Sequence, residues 1–272
     1  MTENRELFFV KLGGSLITDK TRPETPRLEV IERLATEVKQ VTEDLELPLV
    51  VGHGSGSFGH VVADRYRIQE GIDDPEQVAG ISATQEQAFK LHWLVISALR
   101  EAGVAAFSLA PSSFVLAADG TPDQLWPEPL LGALQLGLVP VVFGDVVMDR
   151  QRGAAICSTE MLFRALVPAL GSRGRFVRRV VWLGETDGVY DAHGETITEI
   201  STDDLAAVLG GLEGAAGIDV TGGIRHRLET AGALAEQGIR SWIGDGRRAG
   251  ALVDGLRGEA SHGTLIQPGR LG

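Results

Sequence analysis

The chain has 272 residues, 43% of them hydrophobic, and a formal net charge of −12. That length allows one large α/β domain or two small ones, and the apolar fraction supplies a real core and excludes a disordered chain. The acidic balance argues against a general nucleic-acid binder, the single cysteine (Cys157) excludes an internal disulfide framework, and with no signal-peptide core and no apolar run near 20 residues the expectation is a cytoplasmic protein without a membrane span.

Short apolar runs recur in chain order: LFFV (7–10), LPLVV (47–51), VAAFSL (104–109), LVPVVF (138–143), VVWL (180–183), SWI (241–243) and TLI (264–266). Several are rich in Val and Ile, as strands buried on both faces are. Helical spacing predicts helices over 28–45, 76–102, 159–170, 202–209 and 224–237. Ser201-Thr202-Asp203-Asp204 supplies an N-cap signal before the fourth, and Gly103 and Gly238 stand where helices should stop. Strand and helix in alternation predict a mostly parallel sheet covered on both sides. The stretch GGLEGAAG (210–217) reads as a mobile loop or a lobe junction.

In such sheets ligands gather at the carboxyl ends of strands. The glycine clusters fall there: KLGGS after the first run, GHGSGSFGH (52–60) after the second, FGD (143–145) after the fourth and GETDGVYD (184–191) after the fifth. Gly54 to Gly59 is a literal G-x-G-x-x-G, but it follows the second strand. Asp73, Asp74 and Glu76, near the distance of a ribose-binding acid, have no strand before them, so a dinucleotide fingerprint is disfavoured. No Walker A loop occurs. A plain tight turn needs fewer glycines and serines than this stretch carries. A helix starting near Ser57 would instead offer free N–H groups and the positive end of its dipole to an anion. His60, at the loop's end, can donate to a phosphate oxygen, whereas His53, closer to the strand, is given a structural role. Lys11 follows a buried strand beside Gly13-Gly14-Ser15, an expensive place for an ammonium group without an anionic partner. Lys20 comes soon after, so two cations can converge on phosphates.

KLGGSLITDK, HGSGSFGH, VFGDVV (142–147), TDGVYD (186–191) and DVTGGI (219–224), in that order, resemble the amino acid kinase superfamily and, more narrowly, the isopentenyl phosphate kinases. The match runs through nearly the whole chain, with LITDK and the loop ending in SFGH its sharper part. The resemblance implies a single domain over 1–272. Its fold would be an open αβα three-layer sandwich on a mostly parallel sheet of about eight strands. The lobe at about 1–170 would bind the phosphate acceptor, and the lobe at about 171–272 would bind ATP. It further implies a homodimer that uses ATP and Mg²⁺ to convert isopentenyl monophosphate, or a similar alkyl phosphate, to the diphosphate. By the same resemblance the catalytic residues are Lys11, Lys20 and His60. The acceptor contacts are Gly54, Ser55, Gly56, Gly59, His60 and Gly144. The nucleotide contacts are Lys11, Gly13, Gly14, Ser15, Asp187, Gly188, Gly246 and Arg227.

Three positions depart from the family pattern. Ser55 stands where glycine is usual, Thr159-Glu160 where an aspartate is common, and Arg227 where a lysine meets ATP phosphate. Arginine keeps the charge but presents a planar fork, and Arg225 and His226 can share its task. No metal ligand is assigned; Asp145 and Asp187 are candidates. On the segment 78–99, Ile81, Gln85, Phe89, His92 and Trp93 recur at helical spacing, either as core or as the wall of a pocket for a five-carbon tail. No carboxylate suited to an amino-acid ammonium group is evident beside the loop. Fosfomycin kinase, similar in fold and also carrying a histidine after its glycine loop, is the alternative enzyme; a non-catalytic nucleotide binder is the alternative of another class.

Overall fold

The computed structural model describes residues 6–44, 47–214 and 222–269, the side chains at 44, 60, 61 and 213 excepted. Strand β1 (Glu6–Leu12) shows why the chain forms layers. Leu7 and Phe9 enter one hydrophobic core while Phe8, Val10 and Leu12 enter another, the period of two that sends alternate side chains to opposite faces. A one-turn helix α1 (Gly14–Ile17) and α2 (Leu28–Asp44) lead to β2 (Leu49–His53). Helix α3 (Gly56–Arg65) and the long α4 (Pro75–Glu101) precede β3 (Ala106–Ser108). Asp74 caps α4 by accepting from the amides of Glu76 and Gln77, Gln77 reaches back to the Asp74 amide, and Pro75 fills the first position, so the start is fixed by a capping box.

A hairpin of β4 (Val115–Ala118) and β5 (Thr121–Leu125) is followed by α5 (Glu128–Gln135), β6 (Val139–Phe143), β7 (Asp145–Asp149) and β8 (Gly153–Cys157). Then come α6 (Thr159–Gly171), β9 (Phe176–Gly184), a small pair β10 (Val189–Tyr190) and β11 (Thr196–Ile197), and β12 (Glu199–Ser201). The chain closes with α7 (Leu205–Gly214), α8 (Gly222–Ala235), β13 (Arg240–Asp245), α9 (Ala251–Arg257) and β14 (Thr264–Gln267).

The main sheet has eight strands in the order β12-β14-β13-β9-β1-β2-β6-β3, parallel at every pair except β13 with β14. Helices cover both faces: α6 and α8 supply residues to one core, and α2, α4 and α9 to the other. This is the three-layer α/β sandwich expected. The seven apolar runs all lie in this sheet, and Gly103 and Gly238 take φ of +83° and +83° where α4 and α8 end. Among the described residues, no helix is long and apolar enough to cross a membrane.

Several elements differ from expectation. The eighth strand, β12, is only three residues long and carries no apolar run. A second sheet, β5-β4-β7-β8, is added beside the first; β7 was hidden because only Gly144 separates it from β6, so LVPVVFGDVV reads as one run. The helix expected at 202–209 begins at Leu205, because the Asp204 amide and carboxylate both bind Ser201 and close a turn there. Residues 210–214 of the glycine stretch are helical rather than a loop; 215–217 lie outside the described residues.

Candidate active site

Parallel pairing of β1 with β2, in register Lys11 to Gly52 and Leu12 to His53, brings the loops that follow them side by side. Their backbones nearly touch. A Cβ on Gly14 would lie 2.6 Å from the Gly56 nitrogen, and one on Gly54 would lie 2.9 Å from the Gly14 nitrogen. Only glycine permits that approach, and Gly56 also takes φ +51° to turn the chain into α3. No hydrogen bond among the described residues uses the N–H groups of Ser55 or Gly56. They stand at the positive end of the α3 dipole as two free donors for an anion.

Lys11 reaches this place from β1 and is 6% exposed. Its ammonium forms a buried ion pair with Glu160, the second residue of α6. Two contacts place Glu160 there. The Ser158 hydroxyl caps α6 by accepting from the Met161 amide at 3.2 Å, and the Thr159 hydroxyl donates to the His53 carbonyl at 2.6 Å, pinning the first turn to the end of β2. Arg227 comes from α8 and lays its guanidinium against the end of β9, where a Cβ on Gly184 would lie 2.7 Å from it. Burial, partly opposed by Glu160, pulls the Lys11 pKa below its ordinary value, and Arg227 and Lys20 pull the same way. Burial alone would raise Glu160, but Lys11 and Arg227 together hold it below the ordinary carboxylate range. The His226 Nε2 lies 3.0 Å from the Ser158 hydroxyl on the same side.

These groups line a cavity of about 470 Å³ with two kinds of wall. Lys11, Lys20, Arg227, His226 and the loop around Ser55 form a cationic, amide-rich end. Ala63, Ala88, Val146 and Ile156, with Thr84, form a largely apolar end. Two further carboxylates face the space. Asp145 accepts from the Ser112 and Val146 amides at 3.0 and 2.8 Å, yet burial outweighs those bonds and raises its pKa. Glu185 is paired with Arg27. A cationic end facing an apolar end, with free peptide donors between them, suits a phosphorylated molecule with a short hydrocarbon body.

Known proteins carry the same architecture. The sequence model of the amino acid kinase family matches residues 6–245. The isopentenyl phosphate kinase of Methanothermobacter thermautotrophicus is 32% identical over 96% of this chain and 98% of its own. The chain belongs to the amino acid kinase family, among the isopentenyl phosphate kinases. The Haloferax volcanii isopentenyl phosphate kinase is 34% identical over 82% of this chain and 86% of its own. A solved isopentenyl phosphate kinase superposes with a TM-score of 0.78 at 29% identity, covering 96% of this chain and 100% of the other.

The kinase brings most of its sequence-predicted site residues to one cavity: Lys11, Gly14, Ser15, Lys20, Gly54, Ser55, Gly56, Gly59, Gly144 and Arg227. The side chain of His60 lies outside the described residues; its backbone belongs to α3. Gly13, Asp187, Gly188 and Gly246 do not line the cavity. Gly13 binds the Leu183 carbonyl, and Asp187 is half exposed with Arg248 3.9 Å away. Gly188 packs against Thr264, and Gly246 against Leu16 and Leu183. Of the two neighbours expected to assist Arg227, His226 lines the cavity while Arg225 points to Glu229 at 2.9 Å. None of Ile81, Gln85, Phe89, His92 and Trp93 lines it; Thr84 and Ala88, each one residue earlier on α4, do. Asp145, named from the sequence only as a candidate metal ligand, lines the cavity beside the loop, where no carboxylate was expected. Glu160 was marked only as a departure, because nothing local shows that it meets a lysine 149 positions away.

Proposed function

We propose that this kinase transfers the γ-phosphoryl group of ATP to isopentenyl monophosphate and releases isopentenyl diphosphate. One observation carries the reading: a single cavity joins free loop amides and buried cations to an apolar end of Ala63, Ala88, Val146 and Ile156. Its relatives' names point the same way. In this reading the amides of Ser55 and Gly56, with Gly54, Gly59, His60 and Gly144 around them, hold the acceptor phosphate in the lobe at about 1–170. Arg227 and Gly14-Ser15 face the nucleotide phosphates, and the loops of Asp187-Gly188 and Gly246 bound the nucleotide from the lobe at about 171–272. Lys11 neutralises charge on the group in flight and Lys20 steadies it against the acceptor.

Phosphoryl transfer asks chiefly for alignment and charge neutralisation. The acceptor's own ionised oxygen is the nucleophile, so no side chain has to remove a proton, and His60 acts as an orienting donor. Mg²⁺ is the customary companion of ATP. The carboxylates at the cavity are already engaged, Glu160 by Lys11, Asp145 by two amides and Glu185 by Arg27. Among the described residues no three metal-ligating side chains cluster; in this reading the nucleotide phosphates would supply most of the oxygen ligands of such an ion.

The test is ADP release, coupled to a reporter, with isopentenyl phosphate, other short alkyl phosphates, fosfomycin and free amino acids as acceptors. Acceptor-dependent turnover with the alkyl phosphates, at least tenfold above fosfomycin in kcat/KM, is expected. Preference for fosfomycin, or ADP release indifferent to acceptor, would overturn the assignment.

A further inference from the structure

We propose that His53 and His92 are positioning residues that aim the loop amides at the acceptor phosphate, with His53 held as its neutral Nδ1–H tautomer. This rests on the acceptor reading of the loop given above. Neither ring lines the cavity. Both are fully buried, and they form one hydrogen-bonded chain. The Nδ1 of His53 lies 3.0 Å from the Gly54 carbonyl oxygen, which can only accept, so this nitrogen carries the proton. In a neutral ring Nε2 is then bare and must accept; it does so from the Nδ1 of His92, at 3.0 Å. That leaves the Nε2 of His92 bare, 2.7 Å from the Ser108 hydroxyl, which donates. Every proton in the chain is assigned once both rings are neutral.

Neutrality follows from the surroundings. Burial pushes His53 down to about 4, against the Gly54 bond and with help from the Lys11 charge. Burial, then His53 itself, pushes His92 down to about 2. The ring planes are fixed as well, because the Phe143 ring stacks on His92 at 4.1 Å and on His53 at 5.6 Å. The main chain of His53 is pinned separately, its carbonyl accepting from the Gly144 amide at 3.0 Å and the Thr159 hydroxyl at 2.6 Å.

The consequence lies in the geometry of one peptide. No peptide bond among the described residues is cis, so the Gly54 C=O and the Ser55 N–H share a plane and point in opposite directions. With the carbonyl drawn down onto the His53 ring, the Ser55 N–H is turned the other way, on the residue that lines the cavity. A flipped peptide would present the carbonyl's negative end to the phosphate instead. The chain also ties the loop to α4: His92 lies one turn beyond Ala88, part of the apolar wall. The two ends of the acceptor cavity are therefore held in one register.

Long-range ¹H–¹⁵N correlation of the full chain labelled at histidine, without ligand near pH 7.5, should show Nδ1 protonated and Nε2 bare on both rings. A cationic His53, or its Nε2–H tautomer, overturns the proposal whether or not the protein is a kinase. In steady-state kinetics His53→Leu should raise KM for isopentenyl phosphate at least tenfold while KM for ATP stays within twofold. His53→Asn, which keeps a donor near the Nδ1 position, should recover most of that loss. Equal losses in the two variants, or KM values for both substrates rising together, would show a merely structural histidine. If the wild type phosphorylates no alkyl phosphate, the functional reading fails, and orthophosphate titration still decides this one. Shifts of the Ser55 and Gly56 amides in the wild type that vanish in His53→Leu support it; the same shifts in both proteins refute it.

Discussion

Replacing Glu160 by glutamine removes one charge from the centre of the site and almost nothing else. Glu160 is 5% exposed and Lys11 6%, so neither can turn to water when its partner is lost. Opposite charges in contact at an effective dielectric near 20 attract by about 4 kcal/mol. Removing one member of a buried pair typically costs about 3–5 kcal/mol, because the other is left desolvated and alone. Glutamine retains an acceptor for the Lys11 ammonium, so Glu160→Gln should cost about 3 kcal/mol. For a chain of this size that is a fall in Tm of roughly 6–12 °C. The Lys11 pKa, already depressed, should fall further with its counter-ion gone and the Arg227 guanidinium still beside it. Turnover near neutral pH should drop by about 10² and partly recover as the pH is lowered and the amine regains its proton, a recovery absent from the wild type. Calorimetry and pH-rate profiles on Glu160→Gln, Lys11→Met and the double variant form a cycle. The double variant should be more stable than Glu160→Gln alone, with a coupling of about 2 kcal/mol. Single losses that add to within about 0.5 kcal/mol would mean the two groups do not sense each other, and the electrostatic account of the site would fail.

Acid should destabilise the fold through the histidine pair. Their folded-state pKa values of about 4 and about 2 lie below the unfolded value of 6.5, so the unfolded chain gains protons first and stability is lost as pH falls through 6.5. Between pH 8 and pH 5 this amounts to about 2 kcal/mol for each ring. Urea unfolding at the two pH values should show about half of that loss in His92→Phe; an unchanged difference would mean the rings are solvated. Gly14→Ala should cut kcat/KM by at least about 10², because its Cβ would lie 2.6 Å from the Gly56 nitrogen and force the two loops apart. Normal kinetics in that variant would show that the loops need no close contact. Ala88→Phe should fill the apolar end of the cavity and raise KM for isopentenyl phosphate at least tenfold, leaving KM for ATP and Tm nearly unchanged. If both KM values rise equally, Ala88 does not face the acceptor. Lys11→Ala and His60→Ala should each lower kcat by about 10²–10³, the usual loss when a preorganised donor is removed; near-normal rates in both would refute their assignment.

Strands such as β1 were legible because both of their faces are buried, which leaves an unbroken apolar run, and a run like LFFV has few other uses. The glycine loops were legible as a ligand site because no ordinary turn needs such composition after two neighbouring strands. What could not be read was distance. His92 stood out on α4 at core spacing, but its partner His53 is 39 residues away, and no local pattern marks an imidazole that bonds another imidazole. The wall of the acceptor cavity was missed by one position: the large residues Gln85 and Phe89 attract the eye, while the small neighbours Thr84 and Ala88 are what leave room for a ligand. Small residues at a cavity carry no signal in sequence, since their contribution is the space they do not fill.

Glu160 presents a difficulty that decides how the site works. A carboxylate at the floor of a phosphate pocket, in a chain with net charge −12, opposes the binding of every anion the enzyme uses. Without it, however, the cavity would hold Lys11 and Arg227 against each other before any ligand arrives, and the buried ammonium would lose its proton rather than stay charged. With it, Lys11 is charged, oriented and held at the end of β1 in the empty enzyme. Its net field is reduced for substrate and product alike. Were Lys11 to keep its charge without that partner, the cations would bind the diphosphate product about as firmly as the transition state, and uniform tight binding slows release without lowering the chemical barrier. A lysine already paired can instead be drawn towards the group in flight, where negative charge is densest, while the carboxylate stabilises its remaining protons. On the role proposed for Lys11, the ion pair would exchange ground-state affinity for orientation, which would account for an acid in a place where charge alone would forbid one.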